Sequence, residues 1–123
     1  LQVTDLPGYG FADISLSEQE KWRKMISKYL EQREQLRGIV VLVDIRHPAD
    51  DKDILMLELL RLRNIPHCVV ATKADKIPKT KIPRTLQILA KGLGLREESL
   101  FAVSSLKNTG FDPLLSWIYD RLN

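Results

Sequence analysis

The chain has 123 residues, 44% hydrophobic and 28% charged, which fits one globular domain built on one core. No run approaches the roughly 20 consecutive apolar residues of a membrane helix, and Leu1-Gln2-Val3-Thr4-Asp5 lacks a basic region followed by an apolar run, so neither a membrane span nor a signal peptide is expected. The single Cys68 rules out an internal disulfide and suggests a reducing compartment, while a net charge of +3 is too small to establish nucleic-acid binding by itself.

The first residue is Leu rather than Met, and the chain already reads there as a strand, Leu1 to Asp5, which is the expectation for a piece of a longer protein. Pro7-Gly8 ends that strand. Ser17-Glu18-Gln19-Glu20 spells a capping box, and Trp22, Met25, Ile26, Tyr29 and Leu30 follow at helical spacing, predicting a helix with one buried stripe that ends near Gly38. Ile39-Val40-Val41-Leu42-Val43 is an unbroken apolar run, the pattern of a parallel strand covered on both faces, and Asp44 closes it. A second helix is predicted from Asp51 to Arg63, with acidic residues at its positive end. Cys68 to Ala71 reads as the next strand. Pro83 to Leu93 reads as a third helix stopped by Gly92 and Gly94, Leu100 to Val103 as another strand, and Asp112 to Leu122 as a closing helix. Strand and helix alternate four times, which implies an α/β fold with a parallel sheet. Ligands of such sheets bind beyond the carboxyl ends of the strands, so the loops beginning at Asp5, Asp44, Thr72 and Ser104 are expected to converge.

Three of those loops carry chemistry. In Asp5-Leu6-Pro7-Gly8, the Asp can meet a magnesium ion through water and the Gly lets a backbone N–H approach a phosphate oxygen, although Asp-x-Pro-Gly is also a common turn. In Thr72-Lys73-Ala74-Asp75, a carboxylate can accept from the N1–H and exocyclic amine of guanine, a pairing that adenine does not offer, and the Lys73 stem can cover the base with its ammonium in water. Ser104-Ser105-Leu106-Lys107 offers small side chains, so a backbone N–H can reach the base carbonyl. Taken singly, the second and third also fit ordinary solvated or capping residues. The order of the three, each at a strand end, is the stronger signal.

In that order the motifs resemble the third, fourth and fifth conserved motifs of translation-factor-related GTPases. Together with Val43-Asp44-Ile45-Arg46-His47-Pro48, they resemble the EngB family of bacterial ribosome-biogenesis GTP-binding proteins, from about residue 1 to residue 121. The resemblance implies a three-layer, mostly parallel sheet of the P-loop GTPase type. It also implies GTP or GDP bound by Asp5, Leu6, Pro7, Gly8, Thr72, Lys73, Ala74, Asp75, Val103, Ser104 and Ser105, with Mg2+ held by Asp5 through water. The implied role is assembly of the large ribosomal subunit in the bacterial cytoplasm, or in an organelle for an organellar homologue, with links to cell division and septation. No Gly-x-x-x-x-Gly-Lys-(Ser/Thr) occurs, and no switch I threonine region is recognisable. Family members carry both upstream, so residues 1–123 are expected to be the C-terminal two thirds of one such domain. The family strand order then places a missing strand between Leu1–Asp5 and Ile39–Val43. Tyr9 stands where many small GTPases have a water-positioning Gln, which implies slow hydrolysis stimulated by a partner, and no catalytic residue is assigned.

Other residues have plainer readings beside the functional ones. His47 and His67 lack ligand spacing for zinc. Trp22 and Trp117 fit core packing better than base stacking, Asp44 fits a turn or helix cap better than catalysis, and Arg46-His47-Pro48 fits a partner contact or a turn equally. Between Lys73 and Arg96 there are seven basic residues against one acidic, and Lys79, Lys81, Arg84 and Lys91 are candidates for contacting ribosomal RNA, or else form a solvated face. Neither DNA nor a membrane is expected as a partner. Two function classes remain: a GTPase switch in the parent protein, with this chain alone inactive, or a truncated α/β module that binds RNA or protein without hydrolysis.

Overall fold

The computed structural model describes residues 16–31 and 38–122. Their regular elements, in chain order, are α1 (Leu16–Glu31), β1 (Ile39–Asp44), α2 (Asp51–Leu62), β2 (His67–Thr72), α3 (Ile82–Leu93), β3 (Leu100–Ala102) and α4 (Phe111–Leu122). Short 3₁₀ turns cover Ala74–Lys76, Lys79–Lys81 and Glu97–Ser99. The predicted strand Leu1 to Asp5 and the stretch from residue 32 to the expected helix end at Gly38 lie outside the described residues, apart from Gly38 itself.

The three strands are parallel in the order β1-β2-β3, with Asp44 opposite Thr72 and Ala71 opposite Ala102. Parallel neighbours need crossovers, and α2 and α3 supply them. Side chains alternate across the sheet, so one face carries Ile39, Val41, Val43, Val69, Ala71 and Leu100. These pack with Trp22, Ile26 and Leu30 of α1, Leu57 and Leu60 of α2, and Leu89 and Leu93 of α3. The other face carries Cys68 and Val70, which pack with Val103 and with Leu114 of α4. Helices on both sides of a parallel sheet make this a three-layer α/β fold.

Local chemistry explains the helix boundaries. The Asp50 carboxylate accepts from the Asp53 N–H at 2.8 Å and so caps α2. Pro83 sits in the first turn of α3, where its missing N–H costs nothing. Gly94, at φ +70°, ends that helix: its N–H reaches Lys91 O and the Leu95 N–H reaches Ala90 O. Gly92 lies within the helix and does not stop it. α1 begins at Leu16, which moves Ser17 of the expected capping box into the first turn.

Met25, expected in the buried stripe of α1, is exposed instead, as are Leu62 of α2, Ile88 of α3 and Leu115 of α4. The larger departure is β1. It was expected to be covered on both faces, yet Leu42 is 59% exposed and Val40 36%. Register puts Val40 beside Cys68 and Leu42 beside Val70, but α4 packs over the latter pair and not over β1.

Candidate functional site

The end of β2 is built to turn sharply. The Thr72 hydroxyl donates to Val43 O at 3.1 Å and Thr72 O accepts from the Ile45 N–H at 3.0 Å, which ties the ends of β1 and β2 together. Lys73 then takes a left-handed conformation, φ 61° and ψ 36°, unusual for a side chain without a local hydrogen-bonding group. That twist starts the Ala74–Lys76 turn, closed by Lys76 N–H to Lys73 O at 2.9 Å. Ala74 is buried, and its N–H donates to Val103 O at 3.1 Å, so the turn is held against the end of β3.

The second loop is fastened to the first. Ser104, 1% exposed, donates its hydroxyl to Asp75 Oδ1 at 2.7 Å and accepts from the Lys107 N–H at 3.1 Å. Ser104 and Thr109 exchange backbone hydrogen bonds, closing residues 104–109 into a small loop. Gly110, at φ +83°, follows. A Cβ there would run into Ala102 O, so the loop depends on glycine at this position. The hydrogen bond from Ser104 is the first cause holding the Asp75 carboxyl below its ordinary value, with burial opposing it and nearby Lys76 and Lys107 assisting. Asp75 is therefore an oriented anion with one oxygen engaged by Ser104. Ser105 is exposed and Val103 is buried.

A third strand end joins them. Asp44 accepts from the Arg46 N–H at 2.9 Å and receives the Arg46 guanidinium on both oxygens, at 3.1 Å from Nε and 2.8 Å from Nη2. Lys73 Nζ approaches the same carboxylate at 3.5 Å, and His47 Nε2 stands 3.8 Å away. The Arg46 hydrogen bonds hold the Asp44 carboxyl far below the usual range, against the opposing effect of burial. Asp44 is thus a turn cap that also binds the lysine of the neighbouring loop. The sequence carried half of this signal, because Asp44 ends a strand and its loop was expected to converge with the others. The pairing with Lys73 depends on the left-handed backbone of Lys73, which no sequence pattern announced.

Asp5, Leu6, Pro7, Gly8 and Tyr9 lie outside the described residues. Among the described residues, no group of three or more His, Cys, Asp or Glu side chains could hold a metal ion. Lys79, Lys81, Arg84 and Lys91 are all exposed, the first two on the Lys79–Lys81 turn and the others on α3, with exposed Ile88 between Arg84 and Lys91. At the opposite end of the sheet, an open groove of about 560 Å³ is lined by residues including Arg61, His67, Trp117 and Arg121. Trp117 is partly buried against α4's core and carries Arg121 over its ring at 5.0 Å, whereas Trp22 is fully in the core.

No protein-family model matches the chain. It is 43% identical over 119 residues to a probable GTP-binding protein EngB of Lactiplantibacillus plantarum, covering 96% of this chain and 60% of the relative. It is 45% identical over 118 residues to the protein of the same name from Streptococcus pyogenes serotype M5, covering 95% and 58%. The chain thus spans about 60% of the length of these curated relatives. A crystal structure of a probable GTP-binding protein engB superposes with a TM-score of 0.72 at 20% identity, over 94% of this chain and 74% of that one, which speaks to the fold. Over the stretch it spans, the chain is thus similar, at 43–45% identity along almost all of its own length, to proteins named as probable GTP-binding proteins EngB, and it shares the fold of one of that name.

Proposed function

We propose that this chain carries the base-reading half of a GTP-binding site, in a protein that acts as a GTPase switch during assembly of the large ribosomal subunit. The observation that supports it most is the Ser104–Asp75 hydrogen bond of 2.7 Å, reinforced by Ala74 N–H to Val103 O. Two loops, with Asp75 and Ser104 29 residues apart, are locked into one unit that fixes a sheltered carboxylate, its second oxygen 3.9 Å from Lys76 Nζ. A fixed carboxylate accepts two hydrogen bonds from guanine and would face the lone pair of adenine N1 instead. Thr72, Lys73, Ala74, Val103 and Ser105, from the same two loops, would complete the base site. Asp5 to Gly8 would approach the phosphates, with Asp5 meeting Mg2+ through water; the ion would neutralise phosphate charge during hydrolysis. Competition binding on the full-length protein tests the base preference: GTP and GDP should displace a guanine probe and ATP should not. Equal displacement by ATP would remove the reading.

The ribosomal part is supported by the exposed basic residues Lys79, Lys81, Arg84 and Lys91, which follow the base-reading loop on the Lys79–Lys81 turn and α3 and offer the charge that a phosphate backbone attracts. Reversing the charges of Lys79 and Lys81 should weaken binding to the large subunit and flatten its salt dependence, leaving GTP affinity unchanged. Subunit binding that is unaltered at every salt concentration would mark the cluster as a solvated face. The alternative of an RNA- or protein-binding module without hydrolysis is favoured by no particular contact.

A further inference from the structure

We propose that Asp44, clamped by Arg46, is a positioning residue for the guanine site, holding the Lys73 side chain extended before the base arrives. The inference rests on the base-reading assignment above and adds a third strand end to it.

Lys73 is fixed at both ends. Its backbone is committed to the left-handed region, and its C=O accepts the Lys76 N–H that closes the Ala74–Lys76 turn. Its ammonium lies 3.5 Å from Asp44 Oδ2. Between these anchors runs the aliphatic stem, the surface suited to cover a planar base. A lysine free in water samples many rotamers, and a ligand that needs one of them must remove that freedom on binding. Tethering the ammonium removes it beforehand.

Arg46 explains how a carboxylate can serve this purpose at a half-open surface. Asp44 is bound by three N–H groups of Arg46, two of them from the guanidinium fork, so both of its oxygens are fixed in direction. The side chain of Asp44 is 17% exposed while those of Arg46 and Lys73 are 42% and 56% exposed, so the anion is the sheltered member of the trio. A carboxylate that could swing would follow the lysine; a clamped one directs it.

The effect should be on affinity and not on base choice, because Asp75 alone reads the amine. In the full-length protein, Asp44→Asn keeps an oxygen for the Arg46 N–H but loses the attraction for Lys73. It should weaken GTP and ITP binding together by roughly three- to tenfold, the scale of a part-exposed ion pair, with their ratio unchanged. Asp44→Ser, which also retains a turn acceptor, should behave alike and guards against a folding defect of one variant. In a Lys73→Met background, Asp44→Asn should then have no further effect on either nucleotide. An undiminished loss in that background, or no loss in the single variant, overturns the proposal. Asp75→Asn, measured alongside, separates the two levels: if it lowers GTP affinity while Asp44→Asn does nothing, only the positioning role fails. If it leaves GTP affinity unchanged, the base-reading assignment fails and this inference falls with it.

Discussion

Two buried or clamped titratable groups show how residue environment decides behaviour. Cys68 is completely buried in β2 among Val70, Val103 and Leu114, and burial pushes its thiol up to about 12, with the charge of Arg121 pulling slightly the other way. A thiol without accessible thiolate does not react. Alkylation at pH 8 is expected to proceed only as fast as the protein opens, and rapid labelling of the folded chain would contradict the packing. Asp44 is the opposite case. Its folded value lies well below the ordinary 3.8, chiefly through the Arg46 guanidinium, so its stabilising contribution is fully present above 3.8 and is lost as pH falls toward the folded value. Asp44→Asn should therefore lower the Tm at pH 7, and the difference from wild type should shrink as pH drops below that point. A difference independent of pH would mean that the ion pairs contribute nothing.

At the scale of elements, the sequence disclosed most where periodicity and caps carry the information. The helices α2, α3 and α4 and the strands β1 to β3 are found within a residue or two of their expected places, because unbroken apolar runs, acidic first turns and a terminal Gly are local signals. What stayed hidden is set by tertiary contact. Arg61, an exposed charge on α2 by pattern, donates to Leu93 O at 3.0 Å and Gly94 O at 2.9 Å and so closes the end of α3. Gly110 had no distinguishing pattern either, yet it lets the Ser104–Thr109 loop pass against Ala102. Gly110→Ala sets a Cβ against backbone that no rotamer change can relieve, and its φ of +83° adds strain. It should cost more than about 2 kcal/mol in stability and weaken GTP binding in the full-length protein. Thermal unfolding near the wild-type Tm would show that the loop yields without cost. Leu60→Ala, at a fully buried position in α2, gives a reference for core damage of about 2–5 kcal/mol.

For the whole molecule, the sheet's two faces are unequally covered, and this was the least legible feature of the sequence. An unbroken apolar run such as Ile39 to Val43 says that both faces want burial; it does not say what covers them. Val40 and Leu42 continue the face on which Cys68 and Val70 are covered by α4, but they remain exposed. Such a strip invites association. In the isolated 123-residue chain, Val40→Thr with Leu42→Thr should reduce light scattering at high concentration without lowering the Tm, since neither side chain is in the core; a lowered Tm would place them inside it. The same isolated chain is expected to bind GTP more weakly than the micromolar range, because its sequence contains no Gly-x-x-x-x-Gly-Lys-(Ser/Thr) to cradle phosphates, and calorimetry with magnesium checks it. Micromolar affinity there would show that the base-reading loops suffice.

If Asp75, oriented by Ser104, reads guanine as proposed, a change of base will expose it. Xanthine presents a carbonyl where guanine has its amine, and the amide of Asn can donate to that carbonyl where a carboxylate repels it. Equilibrium binding of GTP and XTP to the full-length protein and to its Asp75→Asn variant should therefore cross over. Wild type should prefer GTP, and the variant should lose roughly tenfold or more for GTP while gaining for XTP. Unchanged GTP affinity in the variant, with no gain for XTP, would contradict the account.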